Sequence, residues 1–196
     1  MSLDLLPEFV REHYEVREWR HACAVLAQDF PNEWQDIIDV LTNFRLKKSY
    51  ILAPGKGRSP VSAALDQAFY ARGWIEKKFD TKVVVDQAEL KAPTHKVDCY
   101  KNCVALEIEW NNKTEFYDRD LNNFRLLFEL RAISIGVIIT RCDELVELKD
   151  EIGRGGWIGA STTLYSKLIY RLEGGSGGGC PVLALGMTKR LYRGDE

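Results

Sequence analysis

Hydrophobic and polar positions along the chain follow two periods. Apolar residues at helical spacing predict helices, and short alternating or continuous apolar runs predict strands. The predicted helices cover residues 19–28, 31–43, 60–73, 116–131, 143–149 and 164–172. The predicted strands cover residues 13–17, 82–86, 96–99, 103–110, 133–140 and 181–187. Helices packed on such strands predict an α/β fold with a mixed central sheet flanked by helices.

The length and composition predict one ordinary globular domain. The chain has 196 residues without an internal repeat or a long linker, so we expect a single domain over residues 1–196. Its content of 45% apolar and 29% charged residues is typical of soluble proteins. No apolar stretch reaches the length of a membrane span, and the N-terminus lacks a basic region followed by an apolar core. We therefore expect a cytoplasmic protein without a membrane partner.

The charge distribution allows nucleic-acid binding without requiring it. A net charge of −2 gives no overall basic signature. Short basic clusters could still be gathered along a phosphate backbone, although dispersed, solvated charge is the commoner case for any one cluster. The clusters are Arg45, Lys47 and Lys48; Lys56 and Arg58; Lys77 and Lys78; and Lys189, Arg190 and Arg193.

The five cysteines do not form a Cys-x-x-Cys pair. Cys23, Cys142 and Cys180 lie in apolar surroundings and are predicted to be buried thiols. The spacing of His95, Cys99 and Cys103 by four residues would suit ligands on a helix, but this segment has the pattern of a strand. A fourth ligand is also missing from the pattern, which disfavours a zinc site.

An acidic cluster at the end of a strand carries the candidate chemistry. In the alternating segment 104–110, Glu107 and Glu109 share the face of Ala105, and their Cα atoms should be roughly 6–7 Å apart because each residue rises about 3.3 Å. Asp98 can join them from a neighbouring strand across a short turn at 100–102. Three carboxylates repel one another unless a cation neutralises them, and oxygen ligands suit a hard ion such as Mg²⁺. The alternative is a solvated strand face with its acids in water.

An Asp, eight intervening residues and Glu-x-Glu, followed by a helix and an apolar strand, is the layout of PD-(D/E)xK nucleases. Further segments resemble, in order, the BglII/BstYI group of type II restriction endonucleases over nearly the whole chain. This ordered set is much more specific than any single segment, and it implies a restriction-endonuclease-like fold. The segments are FPNEW at 30–34, SPV at 59–61, DQAF at 66–69, GW at 73–74, TTLY at 162–165 and CPVLALG at 180–186.

The resemblance implies a role for each residue of the acidic cluster. Asp98 matches the central metal-binding Asp and Glu107 the second metal-binding acid, with the carbonyl of Ile108 as a third oxygen ligand. Glu109 stands where most of the superfamily has Lys and BglII-like enzymes have Gln, and a Glu here resembles BamHI. The upstream acid or amide of the preceding helix falls near Asp66, for which a surface helix position is the alternative.

The resemblance also implies a reaction and partners. A type II site-specific deoxyribonuclease hydrolyses phosphodiesters of double-stranded DNA with Mg²⁺ at a short palindromic site, leaving 5′-phosphate ends. Glu109 would position or deprotonate the attacking water, or bind a second metal. A palindrome requires a two-fold homodimer, for which the helix at 116–131 could supply Phe124 and Phe128, unless both are core residues. A cognate DNA methyltransferase and a prokaryotic cytoplasm are expected, and relatives favour a central GATC.

Base recognition requires polar side chains that can reach the major groove. The candidates follow the catalytic strand or lie in a loop rich in Gly, Ser and Thr at 153–163. Each of them has a solvated loop position as the alternative. The candidates are Asn111, Asn112, Lys113, Arg154, Ser161, Thr162 and Thr163, of which Arg154 could contact a guanine or a phosphate.

Three other functions remain open from the sequence. A repair or recombination nuclease of the same fold would cut structured or damaged DNA. A non-catalytic DNA-binding or scaffold protein could retain the fold, but a binding module gains nothing from three acids facing a phosphate backbone. A hydrolase could also act on a small molecule with the same metal. The glycine run at 174–179 does not add a phosphate-binding loop, because it precedes a strand and no Gly-Lys-Ser/Thr follows.

Overall fold

The computed structural model describes residues 2–53, 57–86, 88–92, 94–152 and 162–194. The helices are α1 (Glu8–His13), α2 (Ala22–Asp29), α3 (Pro31–Asn43), α4 (Lys48–Leu52), α5 (Pro60–Tyr70), α6 (Glu115–Glu129), α7 (Leu145–Glu151) and α8 (Tyr165–Glu173). The strands are β1 (Tyr14–Trp19), β2 (Leu46–Lys47), β3 (Ile75–Lys77), β4 (Thr81–Val85), β5 (Ala88–Ala92), β6 (Val97–Lys101), β7 (Val104–Ile108), β8 (Ile135–Arg141), β9 (Val182–Met187) and β10 (Tyr192–Gly194). Short 3₁₀ helices cover Ser2–Leu5 and Lys189–Leu191.

A six-stranded mixed sheet with the order β1-β9-β8-β7-β6-β3 organises the fold. Strands β7, β8 and β9 are parallel, whereas β1, β6 and β3 run antiparallel to their neighbours. Every residue of the three parallel strands is buried, which explains their continuous apolar sequences. The predicted α/β fold with a mixed sheet flanked by helices is confirmed.

Hydrophobic side chains pack on both faces of this sheet. On one face, α3 and α5 contribute Ile37, Leu41, Leu65 and Phe69 to a core that also includes apolar side chains of β7. On the other face, α6 and α8 pack over β8 and β9. A Cβ atom added to Gly136 would lie only 2.2 Å from a ring carbon of Phe124. Phe124 is therefore a core residue and cannot form a dimer interface, and Phe128 packs partly buried against the same core.

A tight turn sets the register of the two strands that carry the acids. The turn was predicted at 100–102, but in the structure it consists of Asn102 and Cys103. Both residues have positive φ, of 43° and 63° respectively. Two-residue hairpin turns need this left-handed conformation, and Asn adopts it readily. Tyr100 and Lys101 instead continue β6 and pair with Ala105 and Val104. The same register pairs Cys99 with Leu106, and the next step along it places Asp98 opposite Glu107.

Other boundaries differ from the predicted ones for local reasons. The predicted helix at 19–28 begins only at Ala22, because Trp19 pairs with Val182 in the sheet and Arg20 and His21 have positive φ. The second strand of the β4–β5 hairpin and the short parallel pair of β2 and β10 were not predicted. The predicted burial of Cys23, Cys142 and Cys180 is confirmed. Within the described residues, no helix is long and apolar enough to span a membrane.

Candidate active site

Asp98 and Glu107 form a reciprocal pair on the antiparallel strands β6 and β7. The backbone N–H of Asp98 donates to Glu107 Oε2 at 3.2 Å. The backbone N–H of Ile108 donates to Asp98 Oδ2 at 3.1 Å. Both carboxylates are thereby fixed against the strand backbone. The structure brings together the three residues predicted to bind a metal.

Glu107 is buried in an environment that disfavours its negative charge. Its side chain is 1% exposed, and among the described residues Oε1 has no hydrogen-bond partner. Burial, followed by the nearby carboxylates of Asp120 and Asp98, raises the pKa of Glu107 well above its ordinary value. A bound cation would remove this penalty. The orphaned oxygen therefore fits a metal-binding role.

Few carboxylates are available as metal ligands at this site. No group of three or more His, Cys, Asp and Glu side chains has the arrangement of a metal site in the part of the chain that the structure describes. Mg²⁺ is commonly held by one or two carboxylates, with water and substrate phosphates as its other ligands. Asp98, Glu107 and a main-chain carbonyl match that preference. The structure does not assemble His95, Cys99 and Cys103 into a zinc site, and Cys99 is buried.

Glu109 lies beside this pair and is held on both of its carboxylate oxygens. Asn112 Nδ2 donates to Oε2 at 2.7 Å, and Arg119 Nη2 donates to Oε1 at 3.3 Å. Burial and the neighbouring Asp120 raise the pKa of Glu109 to about 9. Glu109 is 1% exposed, like Glu107, so the alternative of a solvated acidic strand face is wrong.

The alternation of the β7 segment is confirmed. Val104, Leu106, Ile108 and Trp110 belong to the core on the α3 and α5 side, and Ala105 belongs to the core on the α6 side. The sequence pattern therefore placed the two glutamates on the correct face of the strand.

Asp120 and Arg119 of α6 were not predicted as site residues. Asp120 is fully buried, and Arg119 Nε donates to its Oδ1 at 2.8 Å. Burial raises the pKa of Asp120 to about 6, although Arg119 opposes the shift. One sequence signal could have identified Asp120: it lies three residues after Tyr117 and four before Phe124, on the apolar face of the helix.

Asp66 approaches the strand of Asp98 from α5. It is 1% exposed, it accepts a hydrogen bond from Cys99 Sγ at 3.6 Å, and it forms an ion pair with Arg58. The Tyr70 hydroxyl donates to the Asp98 carbonyl at 3.1 Å. Burial raises the pKa of Asp66 to about 6, with Arg58 lowering it and Asp98 raising it. Asp66 is therefore not a surface helix residue.

This geometry agrees with the comparison of the sequence with known families. The sequence model for the restriction endonuclease BglII/BglIII family matches residues 14–187. The chain belongs to this family. It is thus a restriction endonuclease of the BglII group, a class of nuclease whose substrate is double-stranded DNA. No curated protein sequence matches the chain.

The two segments predicted to read DNA in this BglII-family nuclease meet just beyond β7. Lys113 and Thr162 form an isolated antiparallel bridge, and the Thr163 N–H donates to the Asn112 carbonyl at 2.9 Å. Lys113 is exposed and Thr162 is half-buried. The structure therefore places these residues on one rim beside Glu109.

Several of the predicted DNA-contacting residues have other partners. The exposed Asn111 accepts a hydrogen bond from Arg141 Nη1, and Asn112 is bonded to Glu109. Thr163 is fully buried, and its carbonyl accepts from Arg141 Nε at 3.0 Å, so its side chain does not reach the surface. Arg154 and Ser161 lie outside the described residues.

Proposed function

We propose that this BglII-family member is a type II site-specific deoxyribonuclease that hydrolyses double-stranded DNA at a short palindromic site. The reaction would depend on Mg²⁺ and leave 5′-phosphate ends. The observation that supports this proposal best is the reciprocal pairing of Asp98 and Glu107, together with the buried Glu107 Oε1 that has no hydrogen-bond partner among the described residues.

The residues that would hold Mg²⁺ are Asp98, Glu107 and the Ile108 carbonyl. When bound, the metal polarises the scissile phosphate and lowers the pKa of a water molecule. The chain contributes rigid placement, because main-chain N–H groups hold one oxygen of each carboxylate. Burial excludes bulk solvent from Glu107, which strengthens electrostatic interactions at the phosphate.

Glu109 would act on the attacking water by positioning it, or by accepting its proton once a bound cation lowers the pKa that burial raises to about 9. Asn112 and Arg119 restrict the rotation of its carboxylate. Asp66 would support the site from α5, since it is packed against Cys99 next to Asp98. Asn111, Lys113 and Thr162 would contact DNA from the rim beyond β7, and Asn112 would connect that rim to Glu109.

A palindromic site would require a homodimer in which each subunit cuts one strand. Phe124 on α6 is buried in the core, so the dimer interface would have to form on other surfaces. A cognate DNA methyltransferase would complete a restriction-modification system in a prokaryotic cytoplasm. A central GATC is the recognition sequence that the resemblance to BglII-like enzymes favours.

Digestion of a sequenced plasmid with purified protein tests the proposal. We expect discrete fragments with Mg²⁺ and intact DNA with EDTA, and end-sequencing would give the site and the stagger. A smear, or cutting of branched or damaged substrates alone, would favour a repair nuclease. Binding of plasmid without cutting would favour a non-catalytic relative.

A further inference from the structure

The guanidinium of Arg119 lies between two buried acids of the site. Its Nη2 is 3.3 Å from Glu109 Oε1 and 2.8 Å from Asp120 Oδ1, and its Nε also donates to Asp120 Oδ1 at 2.8 Å. Glu109 is 1% exposed and Asp120 is fully buried. Arg119 thus links the helix α6 to Glu109, the acid that follows β7.

Arg119 is itself held in a fixed orientation. Its guanidinium carbon lies 4.1 Å from the centre of the Phe116 ring, one turn earlier on the helix. Asp120 Oδ1 contacts Nε and Nη2, and the same Nη2 also donates to Glu109 Oε1. A planar guanidinium can serve two acids and an aromatic ring at once, whereas a lysine ammonium cannot reproduce that geometry.

Glu109 and Asp120 both depend on the contacts that Arg119 makes. The carboxyl group of Asp120 is close enough to Glu109 to raise its pKa. Among the described residues, Asp120 Oδ2 has no hydrogen-bond partner. If Arg119 were removed, the Glu109 carboxyl group would keep, among the bonds described, only the one from Asn112, and would be free to rotate.

We infer that Arg119 is a positioning residue, which holds the Glu109 carboxylate in its working orientation while Asp120 and Phe116 hold Arg119. This inference rests on the proposed function, in which Glu109 acts on the attacking water. Arg119 touches Glu109 rather than the reacting atoms, so its loss should lower the rate of cleavage and leave DNA affinity nearly unchanged.

Steady-state cleavage by Arg119→Ala, Arg119→Gln and Arg119→Lys tests this inference. We expect kcat to fall by about 10- to 100-fold in the Ala and Gln variants, the size of one lost hydrogen bond to a charged group, with KM within about twofold of wild type. Lys should recover part of the loss, and added guanidinium at millimolar concentration should raise kcat of the Ala variant alone. Arg125→Ala is the matched control, because Arg125 lies on the same helix, is exposed and donates to Asn122.

A second measurement on the free protein separates this inference from the proposed function. The side-chain amide of Asn112 donates to Glu109 Oε2, so its NMR signals report the orientation of that carboxylate. They should shift in Arg119→Gln and stay in place in Arg125→Ala. If the wild type cuts no DNA, the proposed function fails and the NMR result alone decides the inference. An unmoved amide signal, an unchanged kcat, or a rise in KM with kcat retained would each overturn it.

Discussion

The burial of Glu109 should make the metal-free protein less stable as pH rises. The pKa of Glu109 is raised from 4.5 to about 9 in the folded state, so between these values the folded state binds a proton that the unfolded state has released. The free energy of unfolding therefore falls with rising pH, by about 1 kcal/mol per pH unit. At pH 7 the accumulated loss is about 3 kcal/mol.

Glu109→Gln removes this titration and nearly preserves the shape of the side chain. In EDTA, the variant should gain stability relative to wild type as pH increases from 5 to 8, with a difference that grows by about 1 kcal/mol per pH unit. Denaturant unfolding followed by tryptophan fluorescence measures that difference at each pH. Glu89→Gln is the control, since Glu89 is exposed in the β4–β5 hairpin and paired with Lys82. A difference that stays constant with pH, or that shrinks as pH rises, would refute the account of a buried, charge-disfavouring site.

Two further predictions concern the surroundings of the site. Arg58→Ala should leave Asp66 buried without its ion pair and lower the free energy of unfolding by about 1 kcal/mol at pH 7. The loss should be smaller at pH 5, because Asp66 has a pKa of about 6 and is largely protonated there. Equal losses at both pH values in denaturant unfolding would contradict the role of the ion pair. Gly136→Ala should cost about 1–3 kcal/mol in denaturant unfolding, because its Cβ would enter the ring of Phe124. Gly177→Ala is the control, since the atom nearest to its added Cβ would be a side-chain carbon of Val182 at an ordinary 3.5 Å. Equal losses of unfolding free energy in the two variants would contradict the packing described for α6.

The sequence predicted those parts of the site that depend on local pattern. Alternation in segment 104–110 is a property of neighbouring residues, so it is enough to place Glu107 and Glu109 on one strand face. The hairpin between β6 and β7 is also local, and it brings Asp98 to Glu107 although the turn itself is shifted to Asn102 and Cys103.

The parts that were not predicted depend on contacts between distant segments. Asp120 lies in a polar-rich helix, and only the packing of α6 over β7 and β8 brings it to Glu109. Asn112 was expected to read DNA, but the turn after β7 directs its amide to Glu109. Thr163 was expected in an open loop, and the buried Arg141 instead binds its carbonyl. Short strands such as β2 and β10, with two and three residues, have too few positions to show a period.

The most direct test of the central claim is cleavage of a plasmid by Glu107→Ala beside wild type. Both proteins should be purified in parallel, matched in folded fraction by circular dichroism, and assayed with Mg²⁺ under single-turnover conditions. The account predicts discrete fragments from wild type and a rate at least about 1,000-fold lower from the variant, because losing this acid removes both a cation ligand and the partner of Asp98. Cleavage by Glu107→Ala at the wild-type rate would contradict the assignment of the Asp98–Glu107 pair as the catalytic centre.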